Sequence, residues 1–478
     1  MIARHTFTIL VAAVLALGLV GCDTLDVEPE QSIPEEEAFT SVTDAEAALN
    51  GAYDGLQLPG NYGGFPVVAA DFQSGNSSFS GSFSTWSAAQ SFNITSTHGP
   101  SLTVWDDHYD VILRLNTIIA RASEVPDISS ADLDRITGEA QFLRALMYFD
   151  LVRWFAQPYN IGGTNDQLGV PLTLEPLRTL EQATDSEFTD QPRATVDAVY
   201  SQIYTDLNDA VSKLGGISNR NRGSGTAAQA LRAKVNLYTG DYQGAIDDAE
   251  AVIGSGDMSL VESVSSIYAS VSETNTEIIF SVANNEIDNS GTNDFPSAFY
   301  LPSDFGGRGD INPTSDLISL YETSDERGLG QASAPNSGDF LIYAYGGAPW
   351  TNKWSDSNFG DDAIVLRGAE MYLIAAEAIA RSDYAAREDD AEDYLNTVRT
   401  RAGASSVNTS SQQDLIDAVL LERRLELAFE GDYRHDLVRT GSPMRTTVQG
   451  DPQRILPIPQ TEIEINSEIS EDDQNPGY

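Results

Sequence analysis

Six side chains in this 478-residue chain join a ring, an amide or a carboxylate to polar loop sequence, and ligand recognition could reside there. Trp86 closes a Phe-Ser-Thr-Trp run and is followed by Asn93. Tyr300 and Phe305 flank the turn at Pro302, Trp350 follows Gly-Gly-Ala-Pro, and Asp71 ends a run of small apolar residues. Aromatic faces stack on ring-shaped ligands, while amides and carboxylates supply hydrogen bonds. Core packing under a long loop is the competing outcome for each, and for any single one it has the greater weight. For Trp105 and Trp154, on helical patterns, and for Trp354, in a strand-like run, core packing is the expectation.

Catalytic chemistry has no comparable foothold. Four histidines, one of them His5 in a leader, leave no His/Cys cluster at zinc spacing. The sequence has no phosphate-binding loop, GxSxG elbow or dinucleotide fingerprint. Residues 288–294 offer calcium-friendly oxygens but lack the spaced acids and closing glutamate of an EF-hand, so a polar turn is expected. Carboxylates are too abundant for a glycosidase pair to be chosen among them. The densest charged cluster, Glu422, Arg423, Arg424 and Glu426 with Glu430, shares its helix with Leu421, Leu425, Ala428 and Phe429. That placement predicts a structural ion-pair network. Neither catalysis nor a metal or cofactor is expected.

The remaining reactive residue is Cys22, the only cysteine. Before it come Arg4 and His5, an uncharged run over 6–20, and the tetrad Leu19-Val20-Gly21-Cys22. A basic start, a short apolar stretch and a small residue before the cut describe a signal peptide over 1–21. The run is shorter than the ~20 residues that span a membrane. The tetrad resembles the bacterial lipobox, whose cysteine thiol takes a diacylglycerol and becomes the first residue. There is no second cysteine for a disulfide, and a free exposed thiol would be a liability. A lipid-anchored body on an acidic tether over 22–42 is therefore expected.

Charge narrows the partners. The chain has 72 acidic and 27 basic residues, a net charge of -45. Binding to nucleic acid needs basic patches that such a surface would overwhelm. The acids are scattered and lysine occurs only at 213, 234 and 353, a pattern that points to high-salt adaptation. At 1 M salt, charges are screened over about 3 Å. The 41% apolar content is ample for a folded core.

Several elements must position these residues. A capping box at Thr43 and Glu46 predicts a first helix through Leu56. Residues 59–100 read as long loops with little helix. A second helix includes Tyr109, Ile112, Asn116 and Ile119, and the helix over 132–156 is apolar almost all round, hence central. Another spans about 195–214. Residues 228–253 and 370–398 each read as a small-residue-rich helix, a turn ending Asp-Tyr, and a second helix. This is the tetratricopeptide pattern, with the turn tyrosine packed in the crevice between helices. Between them, 255–362 loses helical period and holds three strand-like runs, at 277–282, 340–345 and 351–354. The division is 43–254, 255–362 and 363–478.

Five blocks resemble a known family: 138–155; 233–253 with 366–377; Asn312-Pro313 through Asp325 and Arg327; 422–431 with Asp436, Leu437 and Arg439; and 456–459 with 474–478. In this order, behind a lipobox, the chain resembles the SusD/RagB nutrient-uptake lipoproteins over nearly its whole length. The resemblance implies a mainly α, tetratricopeptide-like helical-repeat scaffold with an irregular, loop-rich insertion. It further implies a non-catalytic lipoprotein facing outward on the outer membrane. Such a protein would capture oligosaccharide, or in some relatives peptide, for a SusC-like TonB-dependent transporter. Ligand contacts vary across the family, so Asp71, Trp86, Asn93, Tyr300 and Trp350 rest on residue type alone. So acidic a body favours a neutral glycan. The alternative is a tetratricopeptide scaffold for surface assembly, against which the aromatic loops and non-repetitive insertion weigh.

Overall fold

The computed structural model describes residues 39–161, 163–176, 182, 186–269, 272–330 and 334–478. Cys22, the leader and most of the tether lie outside the described residues. Helix α1 (Val42–Asp54) is capped about two residues earlier than the sequence suggests: Ser41 Oγ accepts from the Asp44 amide, and Asp44 accepts from the Thr40 amide and hydroxyl. Ser41 and Asp44 have the same i, i+3 spacing as Thr43 and Glu46, so spacing alone could not choose between them.

Residues 59–100 are more helical than expected. They form α2 (Phe65–Ser74), ended by Gly75 at φ +90°, and α3 (Ser84–Gln90). Nearly every residue of α2 is buried, so no amphipathic period marked it. Next come α4 (Gly99–Arg121), α5 (Ser130–Phe155) and α6 (Val196–Lys213), the last capped by Thr195 Oγ1. From Ile136 onward α5 is buried on almost every side, and it forms the axis of the molecule as anticipated. Two helix-turn-helix units pack together, α7 (Gly225–Thr239) with α8 (Tyr242–Gly254), and α9 (Gly368–Ser382) with α10 (Tyr384–Arg401). Their facing alanines, among them Ala230, Ala245, Ala375 and Ala378, are fully buried. Tyr242 and Tyr384 lie half-buried against the core. Helices α11 (Gln412–Glu426) and α12 (Tyr433–Arg439) complete the scaffold. No helix among the described residues is long and apolar enough to cross a membrane.

Among the described residues the strands form four antiparallel pairs: β1 (Ser77–Phe79) with β5 (Ile311–Pro313), β2 (Leu168–Pro171) with β3 (Arg193–Thr195), β4 (Ile278–Val282) with β8 (Ala363–Arg367), and β6 (Ile342–Tyr345) with β7 (Ala348–Thr351). Strand β7 lies upstream of the run expected at 351–354. Trp354 follows it and is buried, its Nε1 donating to the Phe429 carbonyl at 2.7 Å. The loop-rich stretch is also sewn into the rest of the chain, since β5 pairs with β1 and one apolar cluster runs from Phe39 to Ile458.

Beneath it lies the charged cluster of α11, which is a buried ion-pair network. Glu426 accepts from Arg367 and Arg401 at 2.6 Å and from Arg327 at 2.8 Å, while Glu422 pairs with Arg327 and Arg399. Burial pushes the Glu426 carboxyl up, but Arg401, Arg367 and Arg327 outweigh it and hold the group well below the usual range. Among the described residues, ten lysines and arginines and fourteen carboxylates are buried, although acids outnumber bases 72 to 27 in the chain. Bases are thus drawn inward disproportionately, and the surface left outside is strongly acidic.

Candidate ligand-binding face

The loop aromatics converge where β1 and β5 run out. The Ser80 amide donates to the Asp310 carbonyl at 2.8 Å, and the amides of Arg308 and Asp310 donate to the carbonyls of Ala298 and Phe299 at 2.6 and 3.1 Å. These bonds set Phe299 against Trp86, the rings stacked at 4.1 Å with 26° between planes. Phe65, Phe72, Phe79 and Phe83 surround the indole at 5.5–6.2 Å. Trp86 is only 4% exposed. It is therefore a core residue on a helix rather than a loop platform.

Outside that cluster the surface opens. Arg308 lies over the Phe83 ring at 4.5 Å and the Phe299 ring at 5.4 Å. Its Nε donates to Asp310 Oδ2 at 2.9 Å and a terminal nitrogen to Asn293 Oδ1 at 3.2 Å. Cation–π stacking and these bonds hold the guanidinium as a fixed plate. Beside it stands the β6–β7 hairpin, turned by Gly346 and Gly347 at φ +61° and +85°, as a two-residue turn of this hand requires. Trp350 Nε1 donates back to the Tyr345 carbonyl at 2.9 Å, which folds the indole under the hairpin at 8% exposure. Gly309 rests on that indole so closely that a Cβ there would lie 3.2 Å from the ring. Above, Phe305 and Tyr345 meet edge to face at 4.9 Å, both half-buried. Tyr345 donates its hydroxyl to Asp304 Oδ2 at 2.6 Å, a bond that raises the phenol pKa.

Across Gly306, which packs against Ser357, a groove of about 750 Å³ continues the face. Asn284, Asn285, Asn336, Asn358, Ser355 and Asp356 line it, with Asp361, Asp362, Tyr268 and Lys353. Burial, reinforced by Asp356, pushes Asp361 up to about 7 against the bond it accepts from the Asp356 amide. An amide-rich groove beside an aromatic ridge offers paired donors and acceptors next to an apolar surface, the combination that polyhydroxylated rings need.

Four of the six sequence candidates lie behind this face rather than on it. Besides Trp86 and Trp350, Tyr300 is fully buried, its ring 5.8 Å from Phe429, and Asp71 is 1% exposed. Asp71 Oδ1 accepts from the Phe429 amide at 3.0 Å and from Asn76 Nδ2 at 3.3 Å. Burial nevertheless raises its carboxyl to about 7. Asn93 is exposed just past α3, beside Phe92, which packs on Leu437, Val438 and Met444. The expectation of exposed platforms is thus corrected to Phe83, Arg308, Phe305 and Tyr345. Of these, only Phe305 is a candidate on residue type and loop position. The Gly-Gly turn could have marked Tyr345 as a hairpin-tip residue; nothing in the sequence marks Arg308. Trp105 and Trp154 are buried as expected, at 3% and 2% exposure.

Known proteins share this architecture. Residues 23–237 match a family described as starch-binding and associating with the outer membrane, and residues 347–454 match the SusD family. The chain is 27% identical to SusD-like protein P25 of Formosa agariphila, covering 98% of this chain and 99% of that one. A crystal structure of a SusD superfamily protein from Bacteroides vulgatus superposes with a TM-score of 0.77 at 26% identity, covering 92% of this chain and 100% of the other. A laminarin-binding SusD-like protein superposes at 0.74 with 27% identity, covering 92% and 100%. Two family matches in their expected order, full-length relatives and a shared fold lead to one conclusion: the chain belongs to the SusD/RagB family.

Proposed function

We propose that this protein binds oligosaccharide on the face built by Phe83, Arg308, Phe305 and Tyr345 and in the adjoining amide-rich groove, and passes it to a SusC-like TonB-dependent transporter. The observation that supports this most is the half-buried Phe305–Tyr345 pair standing beside a polar groove of about 750 Å³. A sugar's C–H face would lie on the ridge while its hydroxyls meet Asn285, Asn336, Asn358 and Asp356. Trp86, Tyr300, Trp350 and Asp71 hold this surface from behind. The family's outer-membrane association and the Leu19–Cys22 tetrad support an anchored position with the body outside the cell. The protein acts as a capture subunit and leaves degradation to other proteins.

Calorimetry against a panel of neutral and acidic oligosaccharides, with peptides included, tests the reading. Binding by at least one neutral glycan is expected, weakened about tenfold by Phe305→Ala or Tyr345→Ala with Tm unchanged. A tenfold loss corresponds to about 1.4 kcal/mol, within reach of one stacking ring and its burial. If no glycan binds at millimolar concentration in high salt, the tetratricopeptide scaffold reading replaces this one.

A further inference from the structure

A second groove, of about 570 Å³, lies between α4, the end of β2, the short helix Ser186–Thr189 and the C-terminal helix Gln460–Ile465. Its walls combine two chemistries. Tyr109, Leu113 and Pro171 are apolar, and Ile465, 70% exposed, stands beside them. Four carboxylates, Asp106, Asp110, Asp190 and Glu462, also line it, and among the described residues no lysine or arginine does.

Three of these acids are engaged. Asp110 pairs with Arg114 at 2.6 Å, Asp190 accepts from the Ser467 amide and hydroxyl, and Glu462 accepts from Trp105 Nε1 and Asn466 Nδ2. Burial against the groove, with Asp107 and Glu462 nearby, pushes Asp106 up to about 6, and the described residues place no cation beside it. The carboxylates are spread along the groove, and among the described residues no three acids converge to share a metal ion. Trp105 is buried behind the groove, its Nε1 already bonded to Glu462.

We infer that this groove docks a polypeptide segment bearing arginine or lysine. The alkyl stem would lie on Tyr109, Leu113 and Ile465, and the charged head would meet Asp106 and Glu462. Long basic side chains are the residues that bring an apolar stem and a cation together. The site is separate from the Phe305–Tyr345 ridge and stands whether or not that ridge binds glycan.

The test is fluorescence anisotropy of a labelled Arg-Leu-Arg-Leu-Arg peptide with the full chain in about 0.15 M salt, where exposed charges are screened over roughly 8 Å. Asp106→Asn with Glu462→Gln should weaken binding at least tenfold. A control pair, Asp134→Asn with Asp389→Asn, removes the same charge elsewhere and should change it less than twofold. Ile465→Ser should weaken it severalfold with Tm unchanged. Equal losses from the groove and control pairs would show diffuse attraction to an acidic surface and overturn the proposal. So would the absence of binding at millimolar peptide, or a groove pair that abolishes oligosaccharide binding instead.

Discussion

Trp86→Ala separates a support residue from a contact residue. The indole is 4% exposed, stacks on Phe299 at 4.1 Å and touches four further phenylalanines. Truncating a buried tryptophan to alanine costs about 3–5 kcal/mol, with the lost ring contacts and the cavity both contributing. Unfolding entropy of roughly 2.1 cal/mol/K per residue, over 478 residues, is about 1 kcal/mol/K, so Tm should fall by about 3–5 °C. Differential scanning calorimetry reads this directly, and urea titration of the same variant should move the midpoint down. Glycan titration well below the new Tm should show less than a threefold change, because the ridge formed by Phe305 and Tyr345 remains. A Tm within 1 °C of wild type, together with a tenfold loss of glycan affinity, would mean the indole meets ligand directly. The assignment of Trp86 to the core would then be wrong.

Four other outcomes are expected. Glu426→Gln leaves Arg327, Arg367 and Arg401 without a shared carboxylate and should cost about 3–5 kcal/mol in urea unfolding, as removing one partner of a buried pair does; a loss under 1 kcal/mol would contradict the network. Asp71, raised to about 7 in the fold, favours the folded state most below its unfolded pKa near 4 and loses that contribution as pH rises through 7. Asp71→Asn should therefore stabilise relative to wild type at pH 8 but not at pH 4, and thermal melts showing the same difference at both pH values would refute the reasoning. Replacing Cys22 by serine should move the protein from membranes to soluble fractions, and retention after a high-salt wash would rule out the lipid anchor. Tm should climb from low salt to molar salt as carboxylate repulsion is screened, whereas a flat or falling curve removes salt adaptation as the explanation.

Local chemistry explains what could be read from the sequence. The Asp-Tyr turns at 241–242 and 383–384, the alanines beside them and the all-round apolar pattern of α5 are short-range signals, and they yielded the repeat scaffold and its central helix. The Glu422–Glu426 cluster was legible as structural for a similar reason, since its helix also presents Leu421 and Leu425. Even so, α2 escapes a sequence reading, because 10 residues buried on nearly every side carry no amphipathic period and, unlike the 26 of α5, are too few to mark a helix by length.

The ligand-binding face was decided elsewhere. Whether Trp86 is a platform or a core residue depends on Phe299, brought beside it by the pairing of β1 with β5, and no property of residues 83–93 encodes that meeting. Trp350 is covered by its own hairpin and by Gly309, while Tyr345, in a strand-like run, is left at the edge. Arg308 becomes a fixed plate only because Phe83 and Asp310 arrive from different parts of the chain. Residue type and spacing determine local conformation. Burial, by contrast, depends on which distant surface closes over a side chain, and that is fixed only when long-range pairs form.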